Sequence, residues 1–551
     1  MTPMYRTQSR HLPLAHHALF PALLSLALAG CAASSGGLVP REARFPAIDV
    51  RAIAQLDPGS TLPPDWQHGA FMEIYVRGYR DSDGDGIGDL RGLTQSLDYL
   101  RDLGVRGIWL MPVTRSSDRD HGYAVVDYRT IEPDYGALAD FDELLRQAHA
   151  RGIGVIVDYV INHSSADHPL FRASKAAPAS PYRNWYLWRD PAPTGWNIYG
   201  ANPWYDTPGG AYFAAFSASM PDFNLRNAEV MAFHKDSMRF WLNRGVDGFR
   251  FDAVGHLIEN GPDAWDNQPE NFAVTRELQA LVGSYRNRYM VCESPGNPLG
   301  FAASTACGSA FAFGHHENIV KAARGDSAAI LAVANYFRTA PPVMATMVAN
   351  HDLFAGDRLW NQLDGNAAQY RLAAATYLLA PGTPFIYYGE EIGMSSAANL
   401  AGDARVRAPM SWSGDPRSAG FTSGTPFRPP AANAATHNVA VERTDPESLL
   451  NFYKAMLGLR NRLPSIARGS YEHPVVVGSA VTYQRRLGSE TTLVAINYGA
   501  VQAPIEIGNL PPRSAWAAAF PGNASPVTAD GAGNAHLDLG ARSVQVYTLH
   551  R

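Results

Sequence analysis

Eight short runs of β-branched and aromatic residues recur along the chain, most with a helix-like segment after them, and few architectures accommodate that order. The runs are 71-FMEIYVRGY-79, 105-VRGIWLMPV-113, 153-IGVIVDYV-160, 246-VDGFRFDAV-254, 289-YMVCES-294, 310-AFAFGHH-316, 343-VMATMVAN-350 and 383-TPFIYYGEE-391. Between them, 93-LTQSLDYLRDL-103, 140-DFDELLRQAHAR-151, 228-AEVMAFHKDSMRFWLN-243 and 271-NFAVTRELQALVGSYRNR-288 carry apolar residues at helical spacing. The runs are largely apolar rather than alternating, as in a parallel sheet covered on both faces. An α/β fold is therefore expected, a TIM (β/α)8 barrel over residues 65–163 and 225–463.

Two regions break the alternation. Residues 164–224 form a long Pro-, Trp- and Tyr-rich stretch after the third run, which suggests a small lid-like inserted domain rather than a structureless loop. From 464 to 551 the helices stop, and runs such as 474-PVVVGSAVTYQRRL-487 and 491-TTLVAINYGA-500 predict a carboxy-terminal β-sandwich. At the other end, Arg6 and Arg10 precede the apolar run 18-ALFPALLSLALAG-30, the layout of a signal peptide over residues 1–31. The ending 28-LAGC-31 resembles a bacterial lipoprotein processing box, which implies lipidation at Cys31 and a tether over residues 32–64. A cell-envelope location is then expected, at the outer membrane because Ala32 is not acidic, with the lipid as the sole membrane contact. The other two cysteines, Cys292 and Cys307, could pair in an oxidising compartment, and nothing in their spacing decides whether they do.

In a barrel of this kind the chemistry sits where strands end. Asp252, Glu293 and Asp352 end the fourth, fifth and seventh runs, with Arg250, His163 and His351 among them. Ionisable groups there are costly unless they pair or do work. A purely structural ion-pair network is the alternative. The net charge of -5, without a basic stripe, gives no reason to expect nucleic acid as a partner. Eleven Trp and 25 Tyr, dense in 181-PYRNWYLWRD-190 and 196-WNIYGANPWY-205, suit stacking on sugar rings as well as ordinary packing.

Taken together, 107-GIWLMP-112, 121-HGY-123, 158-DYVINH-163, 220-MPDFN-224, 248-GFRFDAVGH-256, 292-CESPG-296, 350-NHD-352 and 382-GTPFIYYGEE-391 resemble the motifs of the α-amylase family, glycoside hydrolase family 13, in that family's order. The resemblance implies a retaining glycosidase acting on α-glucans or maltooligosaccharides, expected as a monomer. It makes Asp252 the nucleophile, Glu293 the general acid and base, and Asp352 the carboxylate that grips sugar hydroxyls. Arg250 would keep Asp252 ionised, and Glu293 would need a raised pKa. Tyr123 would stack under the sugar, and His121, His163, His256 and His351 would contact it. Asp120 is acidic as in exo-acting relatives, with Arg405 or Arg407 of 405-RVRAPMSW-412 able to pair with it. Ala253 favours α-1,4 over α-1,6 linkages, whereas Gly255 replaces the lysine with which α-amylases hold the leaving group. An α-amylase-like activity is the expectation. An exo-acting α-glucosidase or oligo-1,6-glucosidase, a transglycosylase and a non-catalytic sugar-binding lipoprotein are the alternatives.

The stretch 81-DSDGDGIGD-89 is not an EF-hand, because Gly92 stands where the twelfth-position glutamate is needed. It resembles the family's calcium loop after the first strand. A structural Ca2+ held by Asp81, Asp83, Asp85, Asp89 and the Ile87 carbonyl is expected, since clustered carboxylates repel without a cation. A solvated acidic turn is the alternative.

Overall fold

The computed structural model describes residues 47–550, so Cys31 and the segment around it lie outside the described residues. Seven parallel strands form one sheet in the order Tyr289–Cys292, Gly248–Phe251, Gly154–Tyr159, Gly107–Leu110, Phe71–Ile74, Thr383–Tyr387 and Ala345–Thr346. Parallel bridges from Cys292 to Ala310 and from Phe311 to Ala345 close the ring, so the sixth run contributes two residues rather than a full strand. The result is a TIM barrel. Nearly every strand residue is buried, as wholly apolar runs require.

Inside the ring, Trp66, Phe71, Trp109, Ile156, Val291, Phe311 and Phe385 pack as one cluster, with Phe71 and Phe385 stacked at 4.8 Å. Glycines make room for these rings. A Cβ at Gly107 would lie 2.4 Å from the Phe71 ring, and one at Gly154 would lie 2.2 Å from Trp66. Trp109 forms the upper layer of this plug, donating from Nε1 to Asp158 at 3.2 Å, and the Arg250 guanidinium lies over its ring at 5.0 Å. The apolar core thus ends directly beneath the polar rim.

Residues 164–224 contain the helix Pro169–Ala176 and a three-stranded antiparallel sheet of Trp188–Arg189, Ala211–Phe213 and Trp204–Tyr205. From Ser470 onward the chain forms a six-stranded antiparallel sheet faced by the pair Ala503–Ile507 and Ala535–Leu539, with Leu493, Trp516, Ile505 and Leu537 between them. Buried Arg485 donates to the Leu379 carbonyl at 3.1 Å, and the Tyr498 and Thr376 hydroxyls meet at 2.7 Å, which fastens this domain to the barrel.

One feature differs from what composition suggested, and another decides what the cysteine spacing left open. Part of the stretch read as a tether is docked: Ile53 N–H donates to Asp236, Leu56 N–H to Asn243, and Arg288 to the Gly59 carbonyl. These bonds use backbone groups, which leave no periodicity in the sequence. Cys292 and Cys307 are joined in a disulfide with Cα atoms 6.2 Å apart, clasping the loop that begins at Glu293. Among the described residues, no helix is long and apolar enough to cross a membrane.

Behind the eighth strand, Glu390 accepts hydrogen bonds from the Tyr377 and Tyr453 hydroxyls (2.5 and 2.7 Å), and Glu391 accepts one from Tyr99 (2.7 Å). Burial raises both carboxyls to about 7. Unfolded, each would ionise nearer 4.5, so the contribution of these two groups to stability is fully present below that value and is lost as pH rises through about 7. The Glu390 contribution is about 3 kcal/mol. Glu390→Gln should therefore narrow the difference in melting temperature between pH 5 and pH 8 measured by calorimetry. An unchanged difference would show that Glu390 is not the titrating group.

Candidate active site

Arg250, in the middle of the fourth barrel strand, is 1% exposed and serves three carboxylates at once. It donates to Asp158 at 2.9 and 3.1 Å and to Asp252 at 2.6 Å, and its other terminal nitrogen lies 2.7 Å from Glu293. Arg250 and Asp252 are two residues apart along a strand, which puts both on one face. Glu293 begins where the adjacent fifth strand ends, and its Oε2 also accepts from the Ala253 N–H at 3.1 Å. Ala253 adopts a left-handed backbone (φ 47°), a costly conformation for a residue with a Cβ. That turn aims its N–H at Glu293.

One guanidinium cannot neutralise three buried carboxylates, so protons are retained in the cluster. Burial, reinforced by the neighbouring Asp252 and Asp352 charges and opposed by Arg250, lifts Glu293 to about 7. Burial lifts Asp252 to about 6, with Arg250 restraining the rise and Asp158 adding to it. Arg250 is placed as expected, but it moderates the Asp252 pKa rather than holding it in the ordinary range. The order is the useful one, because Glu293 keeps a proton at a pH where Asp252 has lost its own.

The opposite side of the rim is built on His351. Its Nδ1 lies 2.6 Å from the buried Glu73, and its Nε2 lies 3.0 Å from Asp352 and 2.7 Å from the Tyr123 hydroxyl. Burial alone would lower the His351 pKa, but the Asp352 and Glu73 carboxylates outweigh it and raise the imidazole to about 10. Asp352 is held well below the carboxylate range by His351 and Arg407, which overcome its burial. The Tyr123 hydroxyl also donates to Asp158 at 2.9 Å, joining the two halves. His163 lies 4.0 Å from Asp252, and burial lowers it to about 3, so it is neutral.

Asp120 sits at one flank, accepting from the Tyr75 hydroxyl at 2.6 Å and pairing with Arg428 at 2.6 Å. Neither arginine considered from the sequence fills that role directly. Arg405 pairs with Asp357, and Arg407 bonds Asp352 at 2.8 Å. His121 turns inward, its Nδ1 accepting from the Tyr123 N–H at 3.1 Å. His256 lies on the other flank, where its Nε2 meets the Tyr199 hydroxyl at 2.9 Å. Sequence reasoning missed Arg428, Glu73, Asp158 and Tyr199. The legible signals among them were the lone glutamate inside 71-FMEIYV-76 and the aspartate that opens 158-DYVINH-163.

In the acidic loop, oxygens of Asp81, Asp83 and Asp89 lie within 4.8 Å of one another. Asp85 stands outside that group and accepts from the Ile87 N–H at 2.8 Å. Asp89 also caps the following helix through the Gly92 N–H at 2.7 Å. Phe427 N–H donates to the Gly86 carbonyl at 3.0 Å and Thr422 to Asp81, so this loop seats the segment leading to Arg428.

A family described as the alpha amylase catalytic domain matches residues 73–469. Alpha-amylase 3 of Dictyoglomus thermophilum is 33% identical over 458 residues, covering 81% of this chain and 88% of that protein. The trehalose synthase/amylase TreS of Mycobacterium tuberculosis is also 33% identical, over 515 residues, covering 81% of this chain and 84% of its own length. The crystal structure of the alpha-amylase from H.orenii superposes with a TM-score of 0.76 at 31% identity, covering 88% of this chain and all of that one.

The proton order makes a testable pH profile. The specificity constant should rise as Asp252 ionises near pH 6 and fall as Glu293 loses its proton near pH 7, giving a narrow bell. A plateau extending to pH 9 would rule Glu293 out as the proton donor.

Proposed function

The chain belongs to the α-amylase family of glycoside hydrolases, and on that premise we propose that it cleaves α-1,4-glucosidic bonds of starch-derived maltooligosaccharides with retention of configuration. The observation that carries this reading is the Arg250 fork spanning Asp252 and Glu293, two carboxyls of different proton affinity. Bridging by one guanidinium favours the short spacing that suits double displacement, in which no water has to fit between carboxyl and sugar.

In the first step Asp252 attacks the anomeric carbon while the bond to the leaving-group oxygen breaks and Glu293 gives that oxygen its proton. The product is a glycosyl ester on Asp252. In the second step Glu293 takes a proton from water, the oxygen attacks the same carbon, and Asp252 departs as carboxylate. Asp352, fixed between His351 and Arg407, accepts from sugar hydroxyls, and positive charge developing on the ring is favoured by the surrounding carboxylates. A sugar hydroxyl entering in place of water turns hydrolysis into glucosyl transfer by the same chemistry. A second reading has its own observation: Asp120 pairs with Arg428 at 2.6 Å, the acid-and-arginine pairing expected of exo-acting relatives, which favours exo-acting release of terminal glucose.

Maltoheptaose should yield a mixture of short maltooligosaccharides that are α-anomeric when formed, followed by chromatography and NMR. Glucose as the sole early product would move the activity to the exo reading. Glu293→Gln should lose about a thousandfold on maltotriose but far less on α-glucosyl fluoride, because fluoride departs without a proton. Asp252→Asn should lose turnover of both, and retained activity would refute the nucleophile.

We also propose a structural Ca2+ in the 81–89 loop, held by Asp81, Asp83 and Asp89 with Asp85 and the Ile87 carbonyl adjoining. The clustered oxygens support this, since hard oxygen ligands suit calcium. The ion would offset two of the four aspartate charges in the loop and leave the sugar chemistry to the rim. Chelation should lower the melting temperature by several degrees and added Ca2+ should restore it. Indifference to both would leave the loop a self-bonded turn.

A further inference from the structure

At the end of the barrel away from the catalytic rim, the approaches to the first three strands and two late helices enclose a small cavity. It has a volume of about 120 Å³. His68 lies just before the first strand, Arg106 just before the second and Gly152 just before the third, and all three line it. Arg460 and Arg468 close it from the helices Leu449–Arg462 and Pro464–Arg468. A single water needs only about 15 Å³ of such space. Among the described residues, Asp65 is the one carboxylate in the lining.

The charges of this cavity do not balance. Arg468 pairs with Asp65 at 3.3 Å, which accounts for one arginine. Arg106 donates from Nε to Asn461 at 3.3 Å, and its two terminal nitrogens meet no acceptor among the described residues. Arg460, 1% exposed, directs its N–H groups at the carbonyls of His68, Leu378, Ala380, Gly382 and Ala467. Those carbonyl dipoles, two of them at the end of the helix Ala367–Leu378, offset part of its charge but supply no anion. Burial, with the Arg485 charge nearby, lowers the Arg460 pKa to about 9, so the guanidinium stays positive at neutral pH. His68 feels the same field. Burial lowers its pKa, Arg460 and Arg468 lower it further, and Asp65 opposes them. A neutral imidazole still has one N–H to donate.

Glycines make room for the free guanidinium. A Cβ at Gly69 would lie 2.4 Å from the Cβ and Cγ of Arg106, so only a bare backbone lets that side chain lie across it. A Cβ at Gly152 would lie 3.8 Å from Arg106 Nη1, which places the end of the fork beside the third strand's approach. A fork with unused donors, a second arginine and a buried cation behind them suit a tetrahedral oxyanion, which accepts paired N–H bonds and brings the missing negative charge.

We propose that this cavity binds a phosphate-class oxyanion, either the free ion or the monoester of a small molecule. The anion ties the approaches of three barrel strands to the helices that lead into the carboxy-terminal sheet, so it acts on stability and leaves the catalytic rim alone. Isothermal titration of the full chain with inorganic phosphate and with glycerol 3-phosphate, at constant ionic strength in chloride, tests it. One anion should bind per chain and raise the melting temperature. Arg106→Gln should weaken binding about tenfold. Asp65→Asn, which removes the competing carboxylate and frees Arg468, should tighten it about threefold, a change of a sign that damage to the fold would not produce. Binding of phosphate alone identifies the free ion as the occupant, and tighter binding of glycerol 3-phosphate identifies a monoester. No heat with either anion, together with a melting temperature that phosphate moves equally in all three chains, overturns the proposal. So does an affinity that neither substitution alters, because the anion then sits elsewhere.

Discussion

A single guanidinium holds the catalytic rim together. Arg250 emerges from the barrel core over the Trp109 ring and bonds Asp158, Asp252 and Glu293, all three buried. Desolvating so many charges is costly, and the site tolerates it because the cluster is under-neutralised. One positive charge among three carboxylates compels the group to retain protons, and local asymmetry decides where they sit. Glu293 keeps a proton most readily, and that makes it an acid. The functional division between two chemically similar side chains is thus a consequence of charge counting in a dry place.

That dependence runs downward as well. Arg250 can occupy its position because Gly107 and Gly154 let Phe71 and Trp66 fill the barrel interior below Trp109. It runs outward through the Ala253 turn, whose N–H steadies Glu293 from beside Asp252. The disulfide from Cys292 to Cys307 restrains the loop that begins with the same glutamate. Three separate devices therefore converge on one carboxyl.

The barrel was legible because burial of a parallel sheet on both faces leaves a mark on every strand residue, and eight such marks in alternation with helical periodicity admit few arrangements. Asp252, Glu293 and Asp352 were legible because strand ends are where polar residues interrupt those runs. Arg428 was not, since its partner Asp120 is fixed by the path of the 421–428 segment across the 81–89 loop, and nothing local in either stretch encodes that path. The stretch 53–62 concealed its docking for a similar reason: many of its bonds, such as those from the Ile53 and Leu56 N–H groups, run through backbone groups that every residue possesses. The aromatic richness of residues 196–205 was visible, but which rings face solvent depends on a turn at Tyr199 that composition does not specify.

The rim has two electrostatic temperaments. Around Arg250 lie groups poised between about 6 and 7, whereas His351, Asp352 and Arg407 form a chain of alternating charge whose members stay fixed over the range in which proteins operate. Evolution or engineering can therefore retune the working acidity of such a site by altering what surrounds the first set, since Asp252 and Glu293 themselves are assigned to the chemistry. Substitutions in the second set would be felt as a weakened hold on the sugar, and loss of the Asp352 charge would also lower the proton affinity of Glu293 and Asp252, since that charge raises both. Adaptation to a more acidic or alkaline habitat and adaptation to a different glycan thus draw on adjoining parts of one rim that share the Asp352 charge.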